Sequence, residues 1–170
     1  MIFGQVKNQL SFGPVDIVPT HEDHYRGFWD ILKDWGTFWA DKGSVRDFDE
    51  FEQWYQTYAQ DSLTGLDQGE VIGGAYLDTI HPGYYATVNI FKRKDYLNPK
   101  MVKAIIKGGL PYWFEKYELE AMWGITRHWS AISLAQRLGF KKNGLLRHWN
   151  KVDGKWVDYT LLSILREELS

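Results

Sequence analysis

Residues 130–165 constrain the chain most. They read as a helix that halts at Gly139, then a strand, a two-residue turn and a second strand. Ile132, Leu134, Ala135 and Leu138 recur at helical spacing and are expected to face inward. Gly139 is the expected left-handed stop of that helix. Residues 144–149 then read as a strand, Asp153-Gly154 as a hairpin turn, and residues 156–165 as the closing strand. A helix followed by a hairpin of this length needs a sheet to pack on, so the rest of the chain must supply strands.

Strand patterning does take over from Leu63. Residues 71–79 read as a strand in which Gly73-Gly74 marks a bulge or a close backbone approach. After the turn at His81-Pro82-Gly83, residues 84–92 alternate. Ala86, Val88 and Ile90 lie on one face, and Tyr85, Thr87, Asn89 and Phe91 on the other. Asn98-Pro99 is a helix start, with Asn98 as N-cap and Pro99 at the first helical position. Gly108-Gly109 and Pro111 are expected to break or kink that helix, and residues 120–126 form a further strand. Upstream, residues 15–18 read as a short strand. Thr20 is the expected N-cap of a helix, answered by Asp23, whose apolar face is Phe28, Trp29, Ile31, Leu32 and Trp35. A second helix begins near Asp47 and carries the aromatic stripe Phe48, Phe51, Trp54, Tyr55 and Tyr58, a core face with one flank able to line a groove. The order is β, α, α, three strands, α, β, α, β, β. It predicts one mixed α/β (α+β) domain over residues 1–170, built on a central sheet.

Composition narrows the function classes. The net charge is −2, so no overall basic field draws the chain to nucleic acid or to an anionic membrane. There is no cysteine, which excludes disulfides, thiolate metal sites and cysteine nucleophiles. The spacing of His21 and His24 in HEDH is i, i+3 without an evident third ligand, so helix capping is expected there and no metal site. The N-terminus has no basic region followed by a long apolar run, and a cytoplasmic location is expected.

The segment RHWSAISLAQRLGF, residues 127–140, resembles the last helix of the GCN5-related N-acetyltransferase superfamily, in its ribosomal-protein and spermidine-like branch. Ala131, Leu138, Gly139 and Phe140 match, and Gly144-Leu145-Leu146-Arg147, Asp153-Gly154 and Trp156-Val157-Asp158 continue the resemblance. It implies a twisted mixed sheet splayed into a V that holds acetyl-CoA, with transfer of acetyl to an amine on a small molecule or protein. The short, aromatic-rich chain also resembles small phage-encoded proteins, some linked to head assembly, for which the host cytoplasm is the expected location. The alternative function is therefore a non-catalytic binding or assembly protein, with a protein partner or an oligomer.

The resemblance places the cofactor along Ile90 and Phe91 and at the loop and helix start that follow, where Arg93, Lys94, Asn98 and Lys100 are candidate contacts. A diphosphate needs backbone N–H groups and positive charge at a helix N-terminus. The family's glycine-rich loop is absent, since residues 91–101 contain no glycine, and Asp95 adds repulsion. The family's asparagine falls on His128 and its tyrosine acid on Ala135. Candidate catalytic residues are Asn89, His128 and Ser130, with Thr87, Asp78 and His81 facing the same groove and Ser130 also an expected helix N-cap. Lys141, Lys142, Arg147, His148 and Lys151 form a basic patch near the last hairpin, a solvated surface or a site for an acidic partner.

Overall fold

The computed structural model describes residues 10–12, 15–33, 45–96 and 99–169. The expectations placed on Trp35 and Asn98 lie outside these residues. Among the described residues, eight strands form one sheet in the order β1-β2-β3-β4-β5-β6-β8-β7. They are β1 (Leu10–Phe12), β2 (Val15–Pro19), β3 (Asp61–Asp67), β4 (Glu70–His81), β5 (Tyr85–Lys92), β6 (Ala121–Thr126), β7 (Lys141–Val152) and β8 (Lys155–Leu165). Every neighbouring pair is antiparallel except β5 and β6, which run parallel.

Strand alternation sorts the apolar residues onto two faces. On one face, Ala75, Leu77, Ala86, Val88, Met122, Leu162 and Ile164 pack against helices α3 (Pro99–Ala104), α4 (Leu110–Lys116) and α5 (Trp129–Arg137) through Met101, Trp113, Phe114, Ile132 and Leu138. On the other face, Tyr76 and Phe91 receive α1 (Tyr25–Leu32) and α2 (Phe48–Tyr58) through Phe28, Ile31, Leu32, Phe51 and Tyr55. The aromatic stripe of α2 is thus divided. Phe51 and Tyr55 are buried, Trp54 is half-buried and Tyr58 is exposed.

Several local expectations hold for identifiable reasons. Gly139 has φ +97°, and it closes α5 with bonds from its own N–H to Gln136 O and from Phe140 N–H to Ala135 O, the two bonds of a Schellman stop. Asp153 and Gly154 both have positive φ, as a two-residue hairpin turn requires. Gly73 marks a close approach: a Cβ there would lie 2.5 Å from Phe91 O. The register shifts fall elsewhere, at Gly65/Leu66 and at Leu77/Thr79.

Two expectations are corrected and one is refined. Thr20 does not cap the first helix, because its hydroxyl bonds the Thr64 hydroxyl of β3 at 3.0 Å. His21 is the cap of a 3-10 turn over Glu22–His24: its Nδ1 accepts from Asp23 N–H, and His24 Nδ1 accepts from His21 N–H. Gly108, Gly109 and Pro111, expected to break or kink their helix, interrupt its α-type hydrogen bonding without ending it. A π turn over Ile105–Gly109 joins α3 to α4, with Leu110 N–H bonded to Ile105 O, and the wider turn accommodates the N–H missing from Pro111. Ser130 is not a cap either. It is the exposed second residue of α5, whose N-cap position is His128.

Candidate active site

The site begins where two parallel strands part. β5 and β6 pair at only three positions, Tyr85↔Ala121, Ala86↔Met122 and Thr87↔Trp123. Beyond them β5 continues to Lys92 and β6 to Thr126 without further pairing between the two. A V-shaped notch opens there, walled by residues 88–92 on one side and 124–126 on the other. Gly124 sits at its apex, where a Cβ would lie 3.4 Å from Val88 O, in ordinary contact with the β5 backbone. Beyond Thr87 the β5 edge that faces β6 has no partner strand, and along Asn89, Ile90 and Phe91 alternate residues turn their backbone N–H and C=O toward that edge. Their side chains are otherwise committed. Ile90 packs on the core beneath α3–α5, and Phe91 is buried edge-on to Phe28 with ring centroids 5.0 Å apart.

On the α1–α2 face, at the level of the notch, β4 is irregular and Asp78 falls in the register shift. Its carboxylate is clamped from β5. Thr87 Oγ1 donates to Oδ1, and Asn89 Nδ2 donates to Oδ2 at 2.8 Å. Asn89 therefore acts on Asp78 and does not reach out as an independent catalytic side chain. Tyr76 lies on the same face, with its buried hydroxyl lacking a hydrogen-bond partner among the described residues. Burial, with Asp78 and Tyr55 nearby, pushes that hydroxyl well above the usual phenol range, so it stays protonated. Trp54 meets the Tyr76 ring edge-on at 5.9 Å, and Tyr58 packs on Trp54 at 5.7 Å. On the other side Tyr85 stacks on Trp123 at 4.7 Å and 9°, and His81 packs on Tyr85. The result is a carboxylate between aromatic walls, next to the last pair before the strands part.

The loop leading to α3 is braced internally. Lys92 Nζ donates to the carbonyls of Arg93 and Tyr96 at 3.1 and 2.9 Å. Arg93 forks onto Asp95, with Nε to Oδ1 at 3.1 Å and Nη2 to Oδ2 at 2.9 Å, and also reaches Glu70. Those bonds hold the Asp95 carboxyl below its usual range. Arg93 thus pairs with two exposed carboxylates at the start of the loop. Lys94 and Lys100 are exposed on either side of the α3 start. His128 is half-buried at the open end of β6, its N–H bonded to Thr126 Oγ1 at 3.2 Å. The structure gathers Asn89, Ile90, Phe91 and His128 around the notch, pairs Arg93 with Asp95 and Glu70, and leaves Ser130 exposed at the start of α5.

The fold recurs among solved structures. The chain is similar to the ribosomal-protein-S5-alanine acetyltransferase of Vibrio fischeri, with a TM-score of 0.73 and 15% identity over 95% of this chain and 98% of that one. It is also similar to the spermidine N-acetyltransferase of Vibrio cholerae in complex with CoA and spermine, with a TM-score of 0.76 and 18% identity over 92% and 98%. A ribosomal L7/L12 alpha-N-protein acetyltransferase gives a TM-score of 0.76 at 10% identity over 92% and 93%. The fold is that of the GCN5-related N-acetyltransferases. No family model and no curated protein sequence matches the chain. Within this acetyltransferase fold, no helix among the described residues is long and apolar enough to cross a membrane.

Sequence reasoning named Asp78 but not the clamp on it, placed Tyr85 on the Thr87 and Asn89 face without giving it a role, and passed over Tyr76 and Trp123. A signal for Trp123 was present. It shares strand parity with Ile125 and opposes Met122, so an aromatic residue was due on the face away from α3–α5.

Proposed function

We propose that the protein transfers an acetyl group from acetyl-CoA to an amine. The observation that carries this reading is the parting of β5 and β6 after Thr87↔Trp123, beside a carboxylate fixed by Thr87 and Asn89. Acetyl-CoA supplies an activated thioester carbonyl. Beyond its last pair with β6, the β5 edge provides alternate backbone donors and acceptors along which the acyl arm lies, and Lys94 and Lys100 flank the α3 start on the phosphate side. From the opposite face, the carboxylate of Asp78 holds the acceptor ammonium between Tyr85–Trp123 and Trp54–Tyr76 and takes one proton from it, so that the neutral amine bonds to the carbonyl carbon. The carbon–sulfur bond breaks, and the second proton shed by the attacking nitrogen passes through water at the mouth of the notch, where His128 stands, to the leaving thiolate.

A second reading, a non-catalytic binding or assembly protein on the same fold, draws on the braced loop. It has no glycine, and its arginine is held by Asp95 and Glu70. Mass spectrometry of reactions containing acetyl-CoA with either a peptide bearing a free N-terminus or spermidine separates the two. The transfer reading expects a 42 Da increase, the mass of one acetyl group replacing a proton, on one of these amines (roughly; set by the proposed chemistry). Unmodified amines in every reaction, with the fold intact, favour the second reading.

A further inference from the structure

We propose that the α5-side face of the β7–β8 hairpin is a docking site for a polypeptide segment that mixes carboxylate and apolar side chains. Nothing in this inference depends on acetyl transfer.

Register places Lys142, Leu145, Lys151 and Trp156 on one face of the hairpin, through the pairs Lys142↔Leu162, Leu145↔Thr160 and Lys151↔Trp156. It is the face on which Leu162 packs beneath α5, so Trp129 at the start of α5 joins the row. Lys142 Nζ lies 5.6 Å from the centre of the Trp129 ring, and Lys151 Nζ lies 5.9 Å from that of Trp156. His148 stacks on the other part of Trp156 at 6.0 Å and 19°. These apolar groups are open to solvent: Trp129 is 72% exposed, Leu145 58% and Trp156 57%. Large apolar groups left in water in one row mark a contact surface.

Charge identifies the occupant. β7 carries Lys141, Lys142, Arg147 and Lys151 and no acidic residue, in a chain whose net charge is −2. Lys141 is paired with Glu168, and the nearest carboxylate on β8, Asp158, is bound to His148 N–H at 2.8 Å. Lys142 and Lys151 remain on this face, and Arg147 lies in the register shift between them. A second copy of β7 laid along this edge would oppose like charges, which disfavours self-pairing. A single-stranded nucleic acid fits less well, for two reasons. Each ring already carries a lysine against it, which a stacking base would displace, and Leu145 offers apolar surface with no aromatic face. A carboxylate beside an apolar side chain matches a lysine beside a ring.

Position gives the surface a role. β6 pairs with β8 only as far as Thr126↔Thr160, so the hairpin beyond Thr160 projects past β6, at the end where β5 and β6 part. A polypeptide docked there lies beside the mouth of the notch. Irregular register at residues 143 and 147–149 breaks the β7 edge, so recognition rests on side chains more than on a long added strand.

The test uses the full chain and a short synthetic peptide of Glu, Leu and Ser, followed by tryptophan indole NMR signals. Binding is expected to perturb the Trp129 and Trp156 signals and to weaken with salt. The double substitution Lys142→Glu and Lys151→Glu should raise Kd by at least about tenfold, and Leu145→Glu should do the same while preserving both lysines. All three positions are exposed, so native melting of the variants is expected and is checked in parallel. No binding of the acidic peptide, binding unchanged by these substitutions, or tighter binding of an oligo-dT strand than of the peptide overturns the proposal.

Discussion

Replacing Asp78 by Asn should lower turnover of the amine by about 10²–10⁴-fold while leaving acetyl-CoA affinity unchanged. The substitution preserves shape but removes the charge that draws the ammonium and the oxygen that accepts its proton. Both carboxylate oxygens are already oriented by Thr87 and Asn89, so the aspartate enters the reaction without reorganising. The notch proposed to take the cofactor is bounded by backbone of β5 and by Gly124, and the Asp78 side chain lies on the opposite face of the sheet from α3–α5. Steady-state kinetics on the variant, with acetyl-CoA binding measured separately, should show the loss in kcat. A variant that loses acetyl-CoA affinity to the same extent, or that turns over normally, would remove Asp78 from the chemistry.

Phe28→Ala should destabilise the fold by about 3–5 kcal/mol. Phe28 is fully buried between α1 and the sheet, edge-on to Phe91 at 5.0 Å and tilted on Tyr55 at 5.4 Å. Gly74 is the floor of its pocket, since a Cβ there would come within 2.8 Å of the rings of both Phe28 and Phe91. The cluster around Phe28 is small and bounded by large aromatics, which refill a cavity poorly. Urea unfolding measures the loss directly, and melting should fall by roughly 6–20 °C for a chain of this size. A loss near 1 kcal/mol would mean that α1 and α2 collapse onto the sheet without Phe28. The wall formed by Trp54 and Tyr76 would then not depend on that packing.

Elements set by local chemistry were legible in the sequence. The Gly139-Phe140 stop, the Asp153-Gly154 turn and the two faces of β5 follow from backbone freedom and from alternation, and the structure has all three. Contacts between residues distant in the chain were not legible. Thr20 has the side chain of a helix cap, but Thr64 of β3 engages it first. Asp78 was expected to face the groove with Thr87 and Asn89, but their bonds to its carboxylate depend on the irregular register of β4, which no local pattern encodes. Arg93 looked available to a phosphate, although Asp95, two residues on, was in plain view and the structure pairs them. The parting of β5 from β6 is a property of two strands some thirty residues apart in the chain, and no single segment encodes it.

Melting of the protein with and without millimolar acetyl-CoA tests the central claim most directly. A ligand that enters the notch and binds only the folded chain stabilises it by about 2.7 kcal/mol at a hundredfold excess over Kd, a rise in Tm of roughly 5–10 °C. That rise is the predicted result. An unchanged Tm in a protein that melts cooperatively would show that the notch between β5 and β6 does not hold the acyl donor, and would contradict the account.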